Sequence, residues 1–271
     1  MEYLSQVNAL YPSLSKSEKK IADYIKSIGI EIIYMTLQEV SSEADAGEAT
    51  ILRFCRKIGY DGFQNLKLEI AKENSFSTEK DDDEDFTSKI ARNMCKAINE
   101  TKNAINQRDI DKAIELIKKA DTIFLCGAGT SGEVAKEMQM QLMRYGKVCS
   151  YVCDSHFQLT SCSIAKNKDL IIAFTLSGST IDTIDSLRIA RTHGVNIIVV
   201  TNYILSPAAS YADCVLLTVG KESPLEGGSF TARASQQYIS DILVTGYALK
   251  NEEAIRIKQR TAEAVVVKTL Q

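Results

Sequence analysis

Two short stretches carry side chains able to grip an anion. "GAGTSG", residues 127–132, and "TLSGST", residues 175–180, together offer the hydroxyls of Thr130, Ser131, Thr175, Ser177, Ser179 and Thr180. Each follows a short apolar run and precedes a helical pattern, so each places backbone N–H groups at a helix N-terminus, where the partial positive charge favours an anion. Rotatable hydroxyls add donors that fit phosphate oxygens. Neither turn holds Lys or Arg, and no G-x-x-x-x-G-K-[ST] string occurs, which argues against a nucleotide triphosphatase. The first turn also satisfies G-x-G-x-x-G through Gly127, Gly129 and Gly132, with Asp154 about where a dinucleotide site keeps its ribose acid. A nicotinamide site needs one such turn, however, and leaves the second unexplained. Helix capping accounts for "LSGST" taken alone; two such turns in adjacent units point to one shared phosphomonoester, held by Gly129, Thr130, Ser131, Thr175, Ser177, Gly178, Ser179 and Thr180.

A second set lies near the start. In "ADAGEATILRFCRKIGYDGF", Ile51, Leu52, Phe54, Cys55 and Ile58 share one side of a helix that Gly59 can end. Thr50, Arg53, Arg56 and Lys57 fall on the other side. Two short helices meeting at "ADAG" fit a helix-turn-helix, with arginine able to pair with guanine and lysine or threonine able to reach phosphates. A plain helical bundle with a solvated basic face fits the pattern as well. Residues 1–77 hold nine Lys/Arg against eleven Asp/Glu, a net of −2, so charge does not decide between them.

The elements that position these residues divide at "ENSFSTEKDDDEDF", residues 73–86, where five consecutive acids, Asp81 to Asp85, read as a solvated linker. The expected boundaries are a helical domain at 1–75, a linker at 76–86 and an α/β domain at 87–271. Upstream, Ser15 with Glu18 and Thr36 with Glu39 form capping boxes, and Phe63, Leu66 and Ile70 face inward on a later helix. Downstream, strands are expected at Thr122–Cys126, Val148–Cys153, Leu170–Thr175, Asn196–Thr201 and Cys214–Thr218. Helices at Ser131–Tyr145 and Thr180–His193 fall between them, and the alternation implies a parallel sheet flanked by helices. A final helix over "SFTARASQQYISDILVTGYALKN" would turn Tyr238, Ile242, Leu243 and Leu249 inward.

The 271 residues are 45% hydrophobic and 25% charged, with net charge −3, so no global basic excess advertises nucleic acid. Seven scattered cysteines without a C-x-x-C pair, and two histidines, fit neither a zinc site nor a disulfide scaffold. No metal or cofactor is expected. The start lacks a basic leader with an apolar core, and the longest uncharged stretch, 192–212, reads as strand plus loop, so the expectation is a soluble cytoplasmic protein without membrane contact.

"FLCGAGTSG", "IIAFTLSGSTIDTI" and "IIVVTN" followed by "SPAASYADCVLLT" resemble the sugar isomerase (SIS) domain, a phosphosugar-binding α/β fold. "LSKSEKKIADYI", "TLQEVSSEA" and "EATILRFCRKIGYDGFQNLKLEIAKE" resemble the N-terminal helix-turn-helix domain of RpiR-type transcriptional regulators, and the combination matches that family across nearly the whole chain. The resemblance implies that Ser131, Ser177 and Thr180 hold a sugar phosphate, and that Thr50, Arg53 and Lys57 lie on the DNA-facing side of the recognition helix. Thr175 stands where the family more often has serine, and Ser179 where a longer polar side chain is frequent. Asp45 replaces the usual turn glycine, and Gly47 a serine N-cap. The implied protein is a phosphosugar-responsive regulator of sugar metabolism genes, without enzymatic activity, binding double-stranded operator DNA as a homodimer or homotetramer. The alternative is an aldose–ketose isomerase, for which His156 and Glu226 are the candidate bases.

Overall fold

The computed structural model describes residues 2–75, 85–220, 224–225 and 229–266. The chain forms two compact units, residues 1–86 with 221–229, and residues 87–220 with 230–271.

The first unit is helical: α1 (Glu2–Leu10), α2 (Lys16–Ile28), α3 (Leu37–Glu43), α4 (Glu48–Lys57) and α5 (Phe63–Ser75), with two short 3₁₀ turns. Both capping boxes form, so Ser15 opens α2 and Thr36 opens α3, each accepting from the N–H three residues on. Ile21, Ile25, Ile32, Ile51, Phe54, Leu66 and Ile70 close one core, to which Tyr3 and Val7 of α1 add. Lys67 runs into this body and donates to Met35 O at 2.7 Å.

The second unit begins with α6 (Phe86–Ala104) and α7 (Gln107–Lys119) and continues as β1 (Thr122–Cys126), α8 (Gly129–Arg144), β2 (Val148–Tyr151), α9 (Ser155–Ile164), β3 (Leu170–Phe174), α10 (Ile181–Thr192), β4 (Asn196–Thr201), β5 (Cys214–Leu217), α11 (Phe230–Leu249) and α12 (Glu252–Val266). The five strands are parallel, in the order β2-β1-β3-β4-β5. Central strand β3 is buried at all five positions, as a strand covered on both faces must be. Leu170, Ile172 and Phe174 join a core with α7, α8 and α11, while Ile171 and Ala173 join a second core with α9 and α10. The period of two along one strand thus feeds two layers. Asp169 ties the lower ends of β1 and β3, accepting from Thr122 N at 3.1 Å and Lys166 N at 2.7 Å.

Strands β2, β3 and β5 end one or two residues before their expected limits, and α8 starts at Gly129. The inward set of α11 also differs. Ile239, Leu243, Val244 and Tyr247 are buried, Tyr238 and Ile242 are half-buried, and Leu249 is 78% exposed. Leu249 lies six residues beyond Leu243, which at about 100° per residue turns it roughly 120° away from the buried stripe. Helix α12 follows it and was not foreseen from the sequence; Ile257 packs over Gly146 at the end of α8.

Candidate functional site

Both hydroxyl-rich turns leave the C-terminal ends of neighbouring strands. The pairing of β1 with β3 sets Cys126 beside Ala173, so "GAGTSG" and "TLSGST" emerge about one strand spacing apart. In this strand order β1 and β3 are also where the connections diverge to opposite sides of the sheet, and ligands of open α/β sheets sit at that crevice.

In the first turn, α8 begins after Ala128 with no side-chain cap, so its leading amides point outward without an internal acceptor. Ser131, in its first turn, is buried. Gly132 is required by a close approach: a Cβ there would run into Tyr151 Oη. Burial pushes the Tyr151 phenol up to about 12, so it packs as a neutral group. Asp154 is the N-cap of α9, its Oδ1 accepting from Phe157 N at 3.0 Å, a role that accounts for this acid without a ribose.

The second turn is held by its neighbours. Thr201 Oγ1 and Asn202 N both donate to Leu176 O, at 3.1 and 3.0 Å, and Ala208 N donates to Gly178 O at 2.9 Å. The "IIVVTN" stretch therefore positions the turn that precedes it in sequence. Gly178 has φ +63°, and a Cβ there would overlap Ser206. Ser177 Oγ accepts from Ser179 N at 3.2 Å, and Ser179 Oγ donates back to Ser177 O at 3.3 Å. Thr180 is the N-cap of α10, yet its side chain makes no cap bond. Thr175 is 3% exposed, and its Oγ1 has no partner among the described residues. A buried hydroxyl without a partner costs about 1–3 kcal/mol, which a bound acceptor would recover.

Sequence reading missed Gln158, a buried residue of α9. Its Nε2 donates to Gly127 O and Val152 O at 2.9 and 2.8 Å, and its Oε1 accepts from Gly127 N at 3.1 Å. No local periodicity marks it, because all three partners lie outside its own helix. His156 sits exposed in the first turn of α9, its ring edge-on to Phe157 with centroids 6.1 Å apart. Glu226 lies outside the described residues. Among the described residues, no group of three or more His, Cys, Asp or Glu could hold a metal ion.

The other candidate set lies on the first unit. Between α3 and α4 the chain turns through Asp45 at φ +47°, a conformation that Asp visits more readily than most residues. Its carboxylate pairs with Lys20 at 2.5 Å. Gly47 is the N-cap of α4 and supplies no side-chain bond. Ile51, Phe54 and Cys55 point into the core, and Arg53, Arg56 and Lys57 are exposed, with Thr50 half-exposed beside them. Arg53 Nη2 donates to Thr50 Oγ1 at 3.3 Å, and Arg56 Nε to Asp61 O at 3.4 Å. Lys57 differs: its Nζ is tied to Glu18 at 2.9 Å and to Ser13 O at 3.1 Å. The face that sequence spacing treats as uniform thus has two reaching guanidiniums and one anchored ammonium.

Comparison with known proteins agrees with both halves. Residues 1–77 match the model of the helix-turn-helix domain of the rpiR family, and residues 116–245 match that of the SIS domain. A relative in Haemophilus influenzae, described as an uncharacterized HTH-type transcriptional regulator, is 32% identical over 97% of this chain and 96% of its own. Another from Clostridium perfringens, described in the same words, is 32% identical over 93% and 94%. Among solved structures, NanR of Vibrio vulnificus, in complex with ManNAc-6P, superposes with a TM-score of 0.92 at 25% identity, covering 99% of this chain and all of the other. The sugar isomerase domain of an RpiR transcription factor from Sphaerobacter thermophilus shares the fold of the second unit, with a TM-score of 0.59 at 23% identity over 65% of this chain and 98% of its own. No helix among the described residues is long and apolar enough to cross a membrane. A helical unit with a helix-turn-helix, followed by a parallel-sheet unit of SIS type and matched over nearly its full length by such regulators, places this chain in the RpiR family of helix-turn-helix transcriptional regulators.

Proposed function

We propose that this regulator senses a sugar phosphate and controls genes of sugar metabolism. The effector's phosphate lies between the two turns, at Gly129, Thr130, Ser131, Thr175, Ser177, Gly178, Ser179 and Thr180. The observation that carries this reading is the emergence of both hydroxyl-rich turns from adjacent strands β1 and β3, with the buried Thr175 hydroxyl left without a partner among the described residues. Neutral donors and helix N-termini suit a small anion bound reversibly. The sugar phosphate complexed with NanR, a structure matched over the whole chain, supports the ligand class.

Thr50, Arg53 and Arg56 contact operator DNA, and Lys57 contributes near the backbone after release from, or together with, Glu18. Effector binding favours one arrangement of the α/β domains and so sets the spacing of paired recognition helices. This requires a homodimer or homotetramer, working in the cytoplasm, with residues 1–75 as the DNA-binding domain, 76–86 as the linker and 87–271 as the sensing domain. In this reading the protein is a regulator and not an isomerase, which is supported by the helix-turn-helix unit that precedes the sensing unit.

The test is a thermal-shift panel of phosphosugars and NAD(P), followed by Ser177→Ala. One phosphosugar class should raise the melting temperature by mass action, and Ser177→Ala should weaken that ligand while leaving effector-free operator binding intact. A shift by NAD(P) alone, or an unaltered effector response in Ser177→Ala, refutes the reading.

A further inference from the structure

Strand β1 ends at Cys126, where its pairing with β3 stops. The next peptide, at Gly127, needs partners for both its N–H and its C=O, because it is buried. Both come from one side chain. The Gln158 carboxamide accepts from Gly127 N at 3.1 Å and donates to Gly127 O at 2.9 Å, reproducing the pair of bonds a neighbouring strand would make. The second Nε2 hydrogen reaches Val152 O at 2.8 Å, just beyond β2. One turn further along α9, Cys162 lays its thiol against Cys126 Sγ at 3.5 Å, so a single helix face grips the end of β1 twice. Contact with Cys162 and burial push the Cys126 thiol upward.

This arrangement orients the first turn. With the Gly127 peptide locked, its N–H is withdrawn from any anion, and the amides left facing outward are those opening α8. We infer that Gln158 is the positioning residue of the phosphate turn: it holds the Gly127 peptide so that the α8 N-terminus and Ser131 face the effector, and effector affinity depends on it without contact. The inference rests on the phosphosugar reading above.

The experiment uses the full chain and inorganic phosphate as the probe, titrated by calorimetry well below the melting temperature. Gln158→Met keeps length and removes all three bonds. Gln158→Glu keeps shape and the acceptor for Gly127 N, but sets a carboxylate oxygen against Gly127 O and Val152 O; it serves if the methionine variant fails to fold. Both variants should bind phosphate about tenfold more weakly or worse, with effector-free operator affinity unchanged. A purely structural role would lower the melting temperature and leave the phosphate affinity of the folded protein as in the parent, which would overturn the inference. Ser177→Ala separates the two levels. If it weakens phosphate binding and the Gln158 variants do not, Gln158 loses its role while the effector site stands. If phosphate binding is absent from the parent, or indifferent to Ser177→Ala, the effector site itself falls and this inference with it.

Discussion

Replacing Gly178 with alanine tests the geometry of the second turn by a single methyl. Gly178 sits at φ +63°, and a left-handed residue with a Cβ costs about 1–2 kcal/mol. The added carbon would also overlap the Oγ and Cβ of Ser206, which is 3% exposed. Ser206 Oγ accepts from Ala209 N at 3.4 Å, and Gly178 O accepts from Ala208 N at 2.9 Å, so neither wall slides without losing a bond. Overpacking of this kind costs about 1–3 kcal/mol more. The expected total is about 2–5 kcal/mol, or a fall in melting temperature of roughly 4–20 °C at about 2–4 °C per kcal/mol for a unit of this size. Scanning calorimetry reads this in the transition of the α/β unit. A Ser206→Gly background removes the overlap with Ser206 and keeps the dihedral cost and a tight 3.2 Å approach to Thr201 Oγ1, so Gly178→Ala should then cost less, nearer the dihedral cost of about 1–2 kcal/mol. The reasoning is refuted if Gly178→Ala costs under about 1 kcal/mol with Ser206 present, or the same in both backgrounds.

On the DNA face, Arg53→Ala should weaken operator binding by about 1–3 kcal/mol if the guanidinium reads a base. Lys57→Met should chiefly lower the stability of the helical unit, because its Nζ joins α4 to Glu18 and Ser13. Gel-shift titrations beside melting curves would expose the opposite ranking. The backbone N–H of Ser15 and the Lys57 ammonium hold the Glu18 carboxyl below the usual glutamate range. A carboxyl with a depressed folded value stabilises the fold above its ordinary value of about 4.3 and loses that contribution as pH falls through the folded one. The helical unit should therefore weaken below about pH 4, and Glu18→Gln should flatten that part of the profile; parallel profiles for parent and variant count against the assignment.

Much of the site's framework was legible in local sequence because local physics makes it. The capping boxes at Ser15 and Thr36 depend on residues three apart, and both form. Strands β1 and β4 fall at their expected limits, since a short apolar run between turn residues is decided within its own window. The left-handed Asp45 follows from what its short side chain tolerates. The two turns were visible as chemistry for the same reason.

A shared site was expected from their pattern, but the strand adjacency it needs was not written in either turn. It depends on β3 passing β2 to lie beside β1, a choice among pairings that no window contains. Lys57 looked equivalent to Arg53 until α2 brought Glu18, 39 residues away, to its ammonium. Gln158 looked like any polar residue on a helix until the end of β1 arrived against it, 31 residues back along the chain. Sequence by itself determined which groups could hold an anion or reach DNA, because residue type and short spacing fix that. Only the tertiary structure decided that the Thr175 hydroxyl is buried without a partner among the described residues, which cation is anchored and which side chain holds the turn, because each depends on what distant chain is packed against it.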